Sequence, residues 1–142
     1  MRALLDVNVL VALFDAAHVS HGAALGWLDE QGEAGWASCP ITQNGCIRVM
    51  SQPGYPNNVP VSVITERLRD AARHRAHQFW ADDVSVLDSK TIDMSRVHGP
   101  RQLSDVYLLA LAVSHKGRLV TLDQAIPLEA VAGAQKKHLV VL

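Results

Sequence analysis

Three aspartates stand where an otherwise apolar chain has no packing reason to keep a charge. Asp6 interrupts the run MRALLDVNVLVALF, Asp105 lies at the mouth of LSDVYLLALAV, and Asp123 closes RLVTLD. An acid inside a buried run is rare without a partner. Brought together, three carboxylates repel one another unless a cation holds them, and ligands that are all oxygen suit Mg²⁺ or Mn²⁺. A hard divalent ion held in this way activates water and neutralises charge on a phosphoryl oxygen, so the chemistry implied is phosphodiester hydrolysis. Asn8, one turn beyond Asp6, is a candidate to orient the acid or a water. Thr121, two residues before Asp123 and so on the same side of its strand, offers a hydroxyl for the same purpose.

The elements that would position these residues follow from periodicity. RALLD reads as a buried strand with Asp6 at its carboxyl end, followed by a helix over NVLVALFDAAH and a second helix starting near Ser20. GWASCP is too short for a helix and reads as a strand, after which Thr42 is the expected N-cap of TQNGCIRVMS. Residues 51–60, with three prolines, form a loop. Apolar positions from Val61 to about Ala81 recur at helical spacing, VSVLD is expected as a third strand, and LSDVYLLALAV begins a helix with Leu103 or Ser104 at its cap. RLVTLD and KHLVVL complete the strands. Alternating strands and helices predict an α/β fold, a mostly parallel central sheet flanked by helices, as one domain over residues 1–142. In such sheets ligands sit beyond the carboxyl ends of the strands. Asp6 and Asp123 then share one edge, and Asp105 joins them if its helix begins there.

Composition bounds the possibilities. The chain has 142 residues, about half of them apolar, and a formal net charge of −1. That excludes disorder as the main state, and any nucleic-acid contact must come from a local patch. Cys39 and Cys46 form no CxxC and signal neither a disulfide framework nor a cysteine zinc site. The apolar N-terminus is broken by Asp6 and Asn8, and no segment reaches the ~18 uninterrupted apolar residues of a membrane helix. A soluble protein of a reducing cytoplasm is expected, with no membrane partner.

Three pieces, LLDVNVLVAL, TQNGCIRVMS and RQLSDVYLLALAVSHKGRLVTLD, occur in this order along nearly the whole chain and together resemble PIN domains, in particular the VapC-type ribonuclease toxins of bacterial toxin–antitoxin pairs. The resemblance implies an α/β/α domain that cuts RNA with Mg²⁺ or Mn²⁺, forms a homodimer and is silenced by a cognate antitoxin protein. It carries the family's acidic residues onto Asp6, Asp105 and Asp123 as catalytic and metal-binding residues. The family's fourth acid, a glutamate on the helix after the second strand, has no counterpart: no carboxylate lies between Pro40 and Ser51. Gln43 or Asn44 is the candidate neutral partner in its place, through a water of the ion.

Each residue also has a plainer reading. Asp105 is a favourable acid for a helix N-terminus, Asp123 a turn residue, Asn8 a helix cap and Thr121 an ordinary strand residue. The basic stretch from Glu66 to His77 is a solvated face or a phosphate contact, and Arg48 and Arg101 are surface ion pairs or contacts to RNA or antitoxin. The pairs His18/His21 and His74/His77 lack the glutamate of HExxH and a third ligand, which argues against zinc. Asp82, Asp83, Asp88 and Asp93 read as turn acids, and Trp27, Trp36 and Trp80 as core or interface. The leading function is a metal-dependent endoribonuclease toxin. The alternative is a catalytically impaired PIN-like module, lacking the helix glutamate, that binds RNA or a partner. A third reading makes Asp6 a covalent nucleophile, because DVNVL has a weak likeness to the DxDx(T/S) of haloacid-dehalogenase phosphatases; Asn8 and Leu10 stand against it.

Overall fold

Short strands that are apolar on both faces belong in a parallel sheet covered on both sides, and this chain builds one. The structure, a computed structural model, describes residues 1–142. Its strands are β1 (Ala3–Leu5), β2 (Trp36–Ser38), β3 (His77–Phe79), β4 (Arg118–Thr121) and β5 (Leu139–Val141). All neighbours are parallel, in the order β3-β2-β1-β4-β5. The helices are α1 (Val7–Phe14), α2 (His21–Gln31), α3 (Pro40–Ser51), α4 (Val61–Ala72) and α5 (Leu103–Ser114).

Side-chain alternation divides the core in two. Ala3, Leu5 and Val120 face one layer, with Leu10, Cys46 and Ile64 from α1, α3 and α4. Leu4 and Leu119 face the other, where α5 is buried from Val106 to Ala112 between the sheet and an irregular cover that includes Ile92, Ala130 and Val131. A helix apolar on every side needs such cover. Where α3 meets α1 the approach is close: a Cβ on Gly45 would lie 2.5 Å from Val7 Cγ2, so only glycine lets the two backbones sit this near. No helix is long and apolar enough to cross a membrane.

The chain runs outward from β1 to β2 and β3, then returns to place β4 on the other side of β1. The crevice between the carboxyl ends of β1 and β4 is therefore the point where the winding reverses, the place where open α/β sheets bind ligands.

Several expected elements differ in the structure. The helix from Val61 stops at Ala72, and His77–Phe79 is instead the edge strand β3. Helical spacing in the sequence ran past the true end because Phe79 falls on that spacing, whereas its side chain is mostly exposed on the sheet edge. VSVLD is not a strand. Val84 and Val86 pack on the α5 side of the core, but no strand pairs with their backbone, and Asp88 N–H bonds back to Ser85 in a turn. Thr42 is not the cap of α3. Cys39 is, with Pro40 in the first turn, and Thr42 Oγ1 reaches back to accept from Cys39 N at 2.9 Å. The cap of α5 is Gln102, at the end of a 3-10 turn over Pro100–Gln102. The loop after α3 is as expected, and it is tied to the end of α1 because Tyr55 and Asn57 both donate to Asp15.

Candidate active site

Asp6 is the residue at which β1 becomes α1. Its extended backbone caps the helix, its Oδ1 accepts from Val7 N at 2.7 Å, and its own N–H bonds the Val120 carbonyl of β4 at 3.0 Å. Asn8, for which capping was the competing reading, is thus inside the helix and free for another task. Asp6 Oδ2 accepts from the Thr121 hydroxyl at 2.6 Å, and Asp6 is only 5% exposed.

Thr121, fully buried at the end of β4, is the hub of this edge. Its Oγ1 donates to Asp6 and accepts from Asp123 N at 3.0 Å and Asn8 Nδ2 at 3.4 Å. Asn8 Oδ1 in turn accepts from Leu122 N at 3.1 Å. One hydroxyl and one carboxamide therefore lock the turn after β4 against the start of α1, which holds Asp123 in register with Asp6. Asp123 itself makes an Asx turn, accepting from Ala125 N at 3.0 Å.

Asp105 comes from the opposite layer. It lies in the first turn of α5, half-buried, and its carboxyl meets that of Asp123. Asp105 is pushed up to about 7, first by burial, then by donating to Asp123, then by the charges of Asp6 and Asp123. Asp123 is held below the usual range, chiefly because it accepts from Asp105. Asp6 is raised by burial, with Asp123's charge adding, against the opposing bonds from Thr121 and Val7. Asp105 is thus only partly ionised near neutrality, and below about pH 7 the pair Asp105/Asp123 favours holding one proton.

As the side chains stand, no three acids or histidines form a closed ligand set: Asp6 is turned to Thr121, while Asp105 and Asp123 face each other. The donors nevertheless fit a hard divalent cation. They are all carboxylate oxygen, and two of them resist ionisation because of burial and mutual repulsion, costs that a bound positive charge reverses. A further consequence can be measured. An acid raised from 3.8 to about 7 binds its proton more tightly when folded, so its contribution to stability is full below about pH 4 and is lost as pH rises through 7. The metal-free protein is therefore expected to melt lower at about pH 8 than at about pH 5.5, with Mn²⁺ raising the midpoint more at the higher pH. A metal-free midpoint that climbs across that window contradicts the assignment.

The other candidates separate clearly. Asn44 is exposed and makes no hydrogen bond to the acids, whereas Gln43, one residue earlier, donates through Nε2 to Ser38 Oγ at 2.9 Å. The histidine pairs serve other partners: His18 accepts from Ser20 N, His21 meets the Ala12 carbonyl, His74 accepts from Ala76 N and His77 meets Ser38. Arg69 and Arg73 pair with Glu66 and Asp70 on exposed surface, as a solvated face would. Arg48 and Arg101 have no carboxylate within 4.0 Å, so the ion-pair reading does not account for them. Trp36 and Trp80 are core residues, and Asp88 and Asp93 make local turn bonds. Ser38, fully buried at the end of β2 between His77 and Gln43, was not singled out in the sequence. A serine inside the otherwise apolar strand GWASC was the available signal.

The chain matches the PIN domain family over residues 3–133. It is 58% identical to Ribonuclease VapC44 of Mycobacterium tuberculosis over 142 residues, covering 100% of both chains. It is 38% identical to Ribonuclease VapC39 of the same organism over 134 residues, 94% of this chain and 96% of the relative. Ribonuclease VapC29, also from that organism, is 38% identical over 126 residues, 89% of each.

Proposed function

The chain belongs to the PIN-domain family, in its VapC-type branch, and on that premise we propose that it is a metal-dependent endoribonuclease acting as the toxin of a toxin–antitoxin pair. What supports this reading is that the Thr121 hydroxyl bridges Asp6 Oδ2 and Asp123 N at the reversal point of the sheet, with the Asp105 carboxyl beside that of Asp123. Relatives named as ribonucleases support RNA as the substrate.

Asp6, Asp105 and Asp123 would hold Mg²⁺ or Mn²⁺, with Thr121 and Asn8 fixing their orientation. When bound, such an ion supplies an activated water and charge neutralisation at the phosphoryl group. Asp6 contributes a carboxylate whose two oxygens are already aimed by Val7 N and Thr121 Oγ1, so little reorganisation is needed as charge develops. Asp105, pushed up to about 7, is the group that would exchange a proton for the cation at and below neutrality. A cognate antitoxin, a homodimeric assembly and a cytoplasmic location belong to the same proposal. The absence of a carboxylate on α3 favours one rival, an RNA- or partner-binding module without catalysis.

The test is incubation of the purified protein with a mixed pool of single-stranded and hairpin RNA in Mg²⁺, in Mn²⁺ and in EDTA. Cutting in either metal that stops with EDTA is expected. A protein that retains RNA without cutting it in any condition is the binding module.

A further inference from the structure

Asp105 reaches the acid centre from a different layer of the fold than Asp6 and Asp123. Burial from Val106 to Ala112 seats the body of α5 on the sheet, but its first turn is open, with Leu103 and Ser104 exposed and Asp105 half-buried. No main-chain hydrogen bond joins this turn to the segment after β4. The bond that crosses is made by Gln102, whose Nε2 donates to the Ala125 carbonyl at 3.0 Å. At the other end of the same carboxamide, Oε1 accepts from His98 N at 2.9 Å. The orientation of the amide is fixed by its partners. His98 N–H can only donate and the Ala125 carbonyl can only accept, so oxygen and nitrogen each have one place.

Spacing puts this bond beside the acids. Gln102 has helical backbone angles and stands three residues before Asp105, so the two share a helix face, half-buried where Arg101, Leu103 and Ser104 are exposed. Ala125 stands two residues after Asp123, and its N–H closes the Asx turn by donating to Asp123 Oδ1 at 3.0 Å. Ala125 therefore holds the Asp123 carboxylate with its N–H and Gln102 with its carbonyl. The other side of the same turn is tied to α1, through Asp123 N to Thr121 and Leu122 N to Asn8. With Gln102 the frame is complete: the turn that carries Asp123 is bonded both toward Asp6 and toward Asp105. Two carboxylates drawn to one cation repel each other, and a brace of neutral amide and main-chain groups keeps its bonds whatever their charge.

We propose that Gln102 is a positioning residue for the cation site, which sets the separation of Asp105 and Asp123 and with it the preference for a small ion of strict geometry. This rests on the nuclease reading above. Mg²⁺ demands near-octahedral ligands at about 2.0–2.1 Å, whereas Ca²⁺ accepts varied geometry at about 2.3–2.6 Å. Acids free to part lose Mg²⁺ first.

The test is the Mg²⁺ and Ca²⁺ affinities of the full-length protein without RNA, each read by displacement of bound Mn²⁺, for wild type, Gln102→Met and Gln102→Ala. Methionine keeps the length and bulk of glutamine and loses both bonds. Each variant is expected to bind Mg²⁺ about tenfold more weakly, as when a group that orients a ligand is lost, with Ca²⁺ weakened much less. A role confined to stability would lower the thermal midpoint and leave the ratio of the two affinities as in wild type, and an unchanged ratio overturns the proposal. A wild type that binds Mn²⁺ nowhere removes the nuclease reading and the purpose of the brace together. Independently of any variant, the Gln102 side-chain amide of wild type should exchange its protons slowly by NMR, and exchange at the rate of a free carboxamide refutes the brace.

Discussion

Asp6→Asn is expected to give a folded protein whose RNA cleavage is lower by about a thousandfold or more, since loss of several kcal/mol of charge stabilisation costs a decade per 1.36 kcal/mol. The separation of folding from activity is the informative part. Asparagine keeps the oxygen that caps α1 through Val7 N, and it fills the same volume. It also removes a charge that burial already disfavours. The metal-free variant should therefore melt within about 1 kcal/mol of wild type, or above it, as expected where a site stores a cost that function requires. A variant that still cuts RNA near the wild-type rate would remove Asp6 from the reaction. Both substitutions take the acceptor of the Thr121 hydroxyl away, but Asp6→Ala is the poorer probe because it also deletes the cap of α1 and empties volume.

Thr121→Val should be the most damaging change among the supporting residues. Valine matches the shape of threonine in a fully buried position but offers no hydroxyl. Asp6 Oδ2 loses its donor, Asp123 N–H loses its acceptor, and Asn8 loses one of its two bonds. Leaving the buried Asp6 oxygen and the part-buried Asp123 N–H unpaired costs roughly 2–4 kcal/mol, about 1–3 kcal/mol for the buried group and less for the other. For a chain of this size that is a fall of about 10 °C in the thermal midpoint. Metal-dependent cleavage should drop about 10–100-fold, the range seen when a group that orients a ligand is lost. Thr121→Ser should recover most of both. If Thr121→Val melts like wild type, the hydroxyl is not the hub that its contacts describe.

How much of this was legible beforehand depends on the kind of signal. The acids were legible because each breaks an apolar run at a strand end or a helix start, and alternating strands and helices put those ends on one edge. Thr121 was legible from its spacing of two from Asp123. The capping roles were not: Asp6, Asn8 and Thr42 are all good cap formers by type, and only backbone geometry decides that Asp6 caps α1 and Cys39 caps α3. The strand at His77–Phe79 was hidden because it is short, at the sheet edge and half-exposed, so its alternation merges with the helical spacing before it. Val84 and Val86 gave a true burial signal but a false strand, since periodicity reports which side chains turn inward and not whether a backbone partner exists. That Gln43 and not Asn44 turns inward to Ser38 depends on how α3 is rotated against β2, which spacing alone does not give.

The most direct test of the acid centre needs no RNA. Metal-free protein would be titrated with Mn²⁺ at about pH 6 in buffers of different ionisation enthalpy, which counts the protons released on binding. With Asp105 pushed up to about 7, binding is predicted to release close to one proton, and the Asp105→Asn variant should release none and bind more weakly. Mn²⁺ binding with no proton release, or with equal affinity in Asp105→Asn, would mean that Asp6, Asp105 and Asp123 are not the cation site.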